Sequence, residues 1–482
     1  MKSRIISNKC LLNKGSLMIE LMIALCVASV FTMSAVGLVY GSRVLGRIAE
    51  QKQADVTRFD SVFSSMRTGA GNGGGGVSPP IGIDMRKVWY GDDTVSVSSA
   101  TGSIDVATTL SDVREGYGAS SCRPFFSNLS NSPSPPNPQS IPPYEMDWLH
   151  PDFGSSNYPT DIVVRHGMGY ATADSAVQAR DDVFVFDMRR NSTSSVTKAD
   201  NVGSIHTGPG AAAVAMAGHY LYVANTSATN QFQVIDIADR SHPYVAARLK
   251  LPLPDASSSA PAARSIFYAK SRVYLGTEKW NGQEFAVIDV SYPPAPVYLG
   301  GFEVGSVVNS ISVRDDRAYL AVADGGRVVI LDTSSPSNIR QIDSFSPAGG
   351  SLENGNRVFF HHDELWFGRS GGGFNTASYQ ELYRIASTSV GQAASILPVG
   401  HVPGGVRGVV VIDPYVFVAA GGTGTSGGAG MSGGEIEVWQ KDRGTLIGSI
   451  PLGITPIAMS CDESDLYVVA DVDGGIIRIH FK

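Results

Sequence analysis

Charge is scarce in this chain: Asp, Glu, Lys and Arg make up 17% of 482 residues, and the net charge is only −7. Globular chains usually carry ~25% charged residues. A near-balanced, lightly charged chain excludes a basic nucleic-acid binder, so no nucleic-acid partner is expected. Cysteine is also rare, with four residues, too few for a disulfide scaffold. Cys10 and Cys26 fall near the N-terminus, which leaves Cys122 and Cys461 able to form one bond in an exported domain. Proline is absent before Pro79, and no uncharged apolar run of membrane-spanning length follows Tyr40. No Gly-x-Ser-x-Gly, His-Glu-x-x-His or spaced Cys pair occurs, so no catalytic residue, metal ligand or cofactor site is assigned. What the chain has in quantity is glycine, 54 residues, well above the average of ~7%. With 43% apolar residues, that suits a large core of short strands and many turns.

The N-terminus reads as an anchor. Lys2, Arg4, Lys9 and Lys14 precede a stretch from Leu17 to Tyr40 whose one charge is Glu20. At 1.5 Å per residue that stretch makes about 36 Å of helix, enough for the ~30 Å hydrocarbon layer. The basic flank keeps the N-terminus cytoplasmic and directs the remainder outward. A carboxylate near the start of a span is costly unless something pairs with it. Beyond Tyr40 the pattern turns amphipathic: Val44, Leu45, Ile48, Val56, Phe59, Val62, Phe63 and Met66 recur at three- and four-residue steps. One helix over residues 16–68 is predicted, ended by Gly69-Ala70-Gly71-Asn72-Gly73-Gly74-Gly75-Gly76 and Pro79-Pro80.

The segment Gly15-Ser16-Leu17-Met18-Ile19-Glu20-Leu21-Met22-Ile23 resembles the class III signal of type IV prepilins and pseudopilins. The resemblance implies a leader of residues 1–15, cut between Gly15 and Ser16 by a prepilin peptidase, with methylation of the new Ser16 terminus. It also implies that Glu20 meets the terminal amine of a neighbouring pilin subunit, which would give the buried carboxylate its partner. Ser16 stands where the family commonly has Phe, and Met18 where it commonly has Leu, which fits a minor subunit better than a major one.

Residues 69–160 read as a connector rich in Gly and Pro. Short strands are expected at Arg86–Tyr90, Thr94–Ser98 and Ser103–Thr109, and an extended linker over 127–143. From there the chain repeats. Tyr170, Tyr222, Tyr274, Tyr319, Trp366, Phe417 and Tyr467 each sit inside an apolar strand, at spacings of 52, 52, 45, 47, 51 and 50. Each is followed by a second strand, such as Val234-Ile235-Asp236-Ile237 or Val287-Ile288-Asp289-Val290. Four strands per unit and seven units predict a mainly β fold: a seven-bladed β-propeller over 161–482, preceded by the long pilin-type α-helix. The Val-Ile-Asp-Ile strands, with Pro243, Pro293 and Pro296 soon after, resemble the LVIVD repeat. The last unit ends at Lys482 after its third strand, so its fourth strand is expected from the N-terminal side; Cys122 and Cys461 lock that closure if they meet, two unrelated thiols being the alternative.

Alternating strand direction sends the long loops Ala173–Arg180, Leu253–Ala263, Glu278–Glu284, Ser346–Gly355, Arg369–Gln380 and Gly421–Gly434 to one face. At that end of the channel strands Arg264, Asn309, Arg357 (or Asn356) and Arg407 recur in similar register, a candidate site for a carboxylate, an anionic sugar or a peptide terminus. Bonding of those side chains to carbonyls between blades is the alternative. His361-His362-Asp363 and Asp471-Val472-Asp473-Gly474 read as turns rather than metal sites.

Taken together, the expectation is a minor pilin-like protein. It starts in the inner membrane with its propeller periplasmic, then moves onto an extracellular filament, where the propeller meets a protein or glycan ligand. A four-stranded blade on each side of a channel makes a disc about 40–50 Å across. Helices in a filament pack about 10 Å apart, so such a disc suits a tip or sparse position. A secretion or DNA-uptake pseudopilin with a docking propeller, and a membrane-anchored lactonase-like enzyme, are the competing readings.

Overall fold

A computed structural model describes residues 140–481 apart from short stretches within loops, together with the backbone of four short strands ahead of them. The leader, the 16–68 helix, Gly15, Ser16 and Glu20 lie outside the described residues. Among the described residues no helix is long and apolar enough to cross a membrane.

The chain divides into two compact units, 1–114 and 115–482. In the first, Trp89–Gly91, Thr94–Ser99 and Gly102–Asp105 form an antiparallel three-stranded meander. The second is a seven-bladed β-propeller. Blades I to VI each hold four consecutive strands and begin at Asn157, Ala211, Ala263, Val308, Gly355 and Val406. In every blade the strands run antiparallel from the channel outward. The first strands pack against one another in order, and that of blade VII returns against blade I.

The sequence patterns explain this order. Third strands such as Phe232–Asp236 are buried at every position, because both faces are covered by neighbouring blades. Such strands read as continuous apolar runs rather than alternating ones. Fourth strands such as Tyr244–Leu249 are half exposed at the rim. The repeated aromatics all fall in second strands and are at most 5% exposed. Buried side chains form seven clusters among the described residues, each shared by two adjacent blades, so no blade holds a core of its own.

Blade VII supplies three strands from the C-terminus, Pro456–Glu463, Asp465–Ala470 and Ile476–Phe481. Its outer strand is Tyr144–Leu149, paired antiparallel with Ile476–Phe481 from Phe481↔Tyr144 to Ile476↔Leu149. The propeller therefore takes in residues well ahead of 161, because repeat spacing carries no trace of a strand borrowed from the connector. Arg478 binds Asp147 at 2.5 Å, with both side chains largely buried, and so ties the borrowed strand to its neighbour. A two-residue strand, Ser121–Cys122, pairs in parallel with the inner strand of this blade at Asp462 and Glu463. Cys461 beside it is disulfide-bonded.

Candidate functional site: the channel mouth on the long-loop face

Every first strand carries a bulge at the same place. The register skips one residue between Pro159 and Asp161, Ala211 and Ala213, Ala263 and Ser265, Val308 and Ser310, Gly355 and Arg357, Val406 and Gly408, and Pro456 and Ala458. The extra residues are Thr160, Ala212, Arg264, Asn309, Asn356, Arg407 and Ile457. A bulge leaves its extra residue outside the ladder and re-aims its side chain. Here seven bulges set a ring of side chains at the channel end that the long loops surround.

Five of the ring residues, Arg264, Asn309, Asn356, Arg407 and Ile457, line a cavity of about 300 Å³ with Arg357, Thr455 and Pro456. The structure thus brings Arg264, Asn309, Arg357 and Arg407 to one cavity. It also separates their roles. Asn309 Nδ2 donates to the Gly355 carbonyl at 2.8 Å, and Asn356 Nδ2 to the Val406 carbonyl at 3.0 Å, each reaching the next blade. Thr160 Oγ1 does the same to the Ala211 carbonyl at 2.6 Å, without entering the cavity lining. Arg357, one residue past its bulge, donates to the carbonyls of Arg407 at 2.7 Å and of Asn356 and Ile457 at 3.3 Å. Bonding between blades therefore accounts for the asparagines and Arg357. Arg264 pairs with Glu278 at the exposed rim. The exposed Arg407 makes no ion pair or side-chain hydrogen bond among the described residues.

Deeper in the channel Asp161 accepts N–H bonds from Ile162 at 2.9 Å and Val214 at 3.0 Å. Burial pushes its carboxyl above the usual range, while the Val214 bond and the Arg357 charge pull it back. Burial likewise lowers the Arg357 guanidinium; attraction to Asp161 opposes this, and the like charge of Arg407 adds to it.

A second recurring device escaped the sequence reading. The residue just ahead of a third strand, Asp182, Gln231, Glu284 or Glu381, is buried and accepts from N–H groups that follow the fourth strand. The donors are Thr207 at 2.7 Å, Leu251 at 3.0 Å, Val304 at 2.7 Å and Val402 at 2.8 Å. The signal was in plain sight, a polar residue directly before the apolar run in these four blades. Each is a staple across the base of the loops, and losing one would leave buried N–H groups unpaired. Burial raises the Asp182 carboxyl to about 6, against the pull of its two Thr207 bonds.

His361 ends a strand at a hairpin, its Nε2 3.1 Å from Asp413 Oδ2, while residues 362–363 and 471–474 fall outside the described residues. Among the described residues no group of three His, Cys, Asp or Glu side chains could hold a metal ion. The loops around 176–179, 255–259, 348–352, 372–379 and 422–432 also lie outside the described residues.

The short-turn face is built by one repeated aspartate. Asp187, Asp236, Asp289 and Asp332 end the third strands of blades I to IV, and each accepts the N–H two residues on: Arg189, Ala238, Ser291 and Ser334, at 2.8 to 3.1 Å. The turn that follows packs on the preceding blade, where glycine leaves room: a Cβ on Gly300 would lie 1.9 Å from the Pro336 carbonyl oxygen. Strand, aspartate and turn form one motif, and the family model described as "LVIVD repeat" matches residues 209–250 and 305–346, the bodies of blades II and IV. The propeller carries LVIVD repeats. The LVIVD aspartate gives way to Ala386 in blade V and Gln440 in blade VI, where the motif fades. No curated protein matches the chain. Among solved structures the fold is similar to hydrazine synthase of Kuenenia stuttgartiensis, at 13% identity and TM-score 0.49, covering 68% of this chain and 96% of that one. It is also similar to virginiamycin B lyase from Staphylococcus aureus, at 11% identity and TM-score 0.48, covering 70% of this chain and 100% of that one. Neither likeness bears on ligand or activity.

Proposed function

We propose that this LVIVD propeller is the recognition head of a minor pilin-like protein. Prepilin peptidase cuts between Gly15 and Ser16, and the 16–68 helix holds the subunit first in the membrane and then in a filament, through Glu20 and neighbouring pilin subunits. The propeller is displayed at the tip or sparsely along the filament, as a binding module and not as a catalyst. The observation that carries this reading is the joint occurrence of a basic leader, Gly15, and Glu20 at the fifth position of an otherwise uncharged span. The propeller's architecture supports display. The borrowed strand begins at Tyr144, opposite Phe481 at the short-turn end of blade VII, so the chain enters on the face away from the arginine mouth. The same reading takes Cys122 as the partner of Cys461.

The test is the mass of the mature N-terminal peptide in cells with and without prepilin peptidase. A methylated Ser16 start that disappears without the peptidase is the expected result. An intact Met1 start in both strains would overturn the proposal and leave a membrane-tethered propeller.

A further inference from the structure

We propose that the mouth cavity binds one carboxylated sugar ring, of the uronic-acid type, with Arg407 as its principal anion contact. The inference deepens the recognition reading but does not depend on the N-terminal processing. Three guanidiniums line the cavity, from Arg264, Arg357 and Arg407. Glu278 neutralises the first at the rim, and Asp161 lies within electrostatic reach of the second. Among the described residues Arg407 is left without an ion pair beside Arg357, close enough for its like charge to raise the cost of charging Arg357. Two neighbouring guanidiniums with no carboxylate between them favour a bound anion, and guanidinium geometry suits a carboxylate.

The remaining lining selects what carries that carboxylate. Asn309 and Asn356 give their Nδ2 groups to backbone carbonyls, which fixes both amides. Each Oδ1 makes no hydrogen bond among the described residues, so both stay available as acceptors for hydroxyl groups. Thr455 adds a hydroxyl, and Pro456 with Ile457 adds an apolar wall for the C–H face of a ring. At about 300 Å³ the cavity is at the small end of ligand sites, fit for a single ring rather than a protein segment.

The test uses full-length protein in detergent, titrated calorimetrically with glucuronate, glucuronate methyl ester, glucose, acetyl-Gly-Gly and sulfate. Saturable glucuronate binding is expected, at least about tenfold tighter than the ester or glucose, since the ester has lost the charge that Arg407 meets. Arg407→Gln should weaken glucuronate about tenfold, and Glu278→Gln, which releases Arg264, should tighten it about threefold. Arg407 is exposed and holds no other element, so the variant is expected to keep the wild-type melting curve; Arg407→Lys is read in its place if it does not. Absence of saturable glucuronate binding, equal binding of the methyl ester, or an unchanged Arg407→Gln affinity would each overturn the proposal. Sulfate bound as tightly as glucuronate would mark an adventitious anion site only. Tighter binding of acetyl-Gly-Gly would replace the sugar with a peptide terminus. None of these outcomes touches the mass of the N-terminal peptide.

Discussion

Blades IV and VII are built from the same four-stranded plan by opposite means. Blade IV is one run of chain, Val308 to Phe345, with each strand a hairpin away from the next. Blade VII joins the last residues of the chain to a strand more than three hundred positions earlier. The first needs only local pairing and the next blade's turn. The second must hold together a contact of very high sequence separation, and it does so with groups that the repeats lack. Arg340 and Asp332 of blade IV pair at an exposed rim, whereas Arg478 and Asp147 of blade VII pair with side chains 7% and 17% exposed. Local repetition makes blades, and a dedicated buried contact makes a ring.

The sharpest way to break that contrast is to remove one member of each pair. Arg478→Ala should cost about 3–5 kcal/mol, because it removes the cation that faces the Asp147 and Asp465 carboxylates in a largely buried site. Arg340→Ala should cost about 0–1 kcal/mol, as surface pairs do. Urea unfolding midpoints decide it, and equal losses would show that closure has no special dependence on Arg478. A smaller effect probes how each blade meets its neighbour. Gly300→Ala should cost about 1–3 kcal/mol, because the added Cβ meets the rigid Pro336 carbonyl oxygen at 1.9 Å. Gly448→Ala on blade VI meets the flexible end of Ile141 at 3.0 Å and should cost under about 1 kcal/mol. Thermal melts of the two variants at one pH supply the comparison.

The last effect is electrostatic and is read as a dependence on pH. Burial lifts the Glu437 carboxyl to about 8, despite its hydrogen bond from Trp439 Nε1, with Glu435 and Glu381 adding repulsion. A carboxyl raised in the fold holds its proton where the unfolded chain has lost it. Its stabilisation is therefore complete below the unfolded value near 4.5 and is lost as pH rises through about 8. Glu437→Gln should flatten that slope, leaving stability near pH 4 little changed and raising it at pH 8. A wild-type melting curve that does not fall between those pH values would refute the assignment.

The second-strand aromatics and the Val-Ile-Asp strands made the blades and their number legible, because each repeat must bury an identical strip against its neighbours. The missing fourth strand of blade VII also announced that closure would use the N-terminal side. Its location stayed hidden, although Tyr144, Met146 and Trp148 alternate with polar residues as a strand should. The Pro-rich residues just before them read more strongly as linker. At the mouth, Arg264, Asn309 and Arg407 share the bulge register, but Arg357 was preferred to Asn356, and it is Asn356 that occupies the bulge. A bulge puts two adjacent residues against one partner, and which of them leaves the ladder is decided in three dimensions. Periodicity also cannot tell a cation left open from one used between blades, so the separate roles of Arg357 and Arg407 had to come from their neighbours. The staples Asp182, Gln231, Glu284 and Glu381 were missed because a polar residue before an apolar run looks like ordinary loop polarity.

The short parallel strand Ser121–Cys122 gives the ring a mechanical character. Tension arriving from the N-terminal side would otherwise act at Tyr144, the free end of a six-residue ladder, and undo it one pair at a time. With Ser121–Cys122 seated on the innermost strand, and with Cys122 as the partner proposed for Cys461, the pull would pass across a covalent link before it reaches the ladder. On that pairing the load would fall on the hoop of seven adjacent first strands before it reached the borrowed strand.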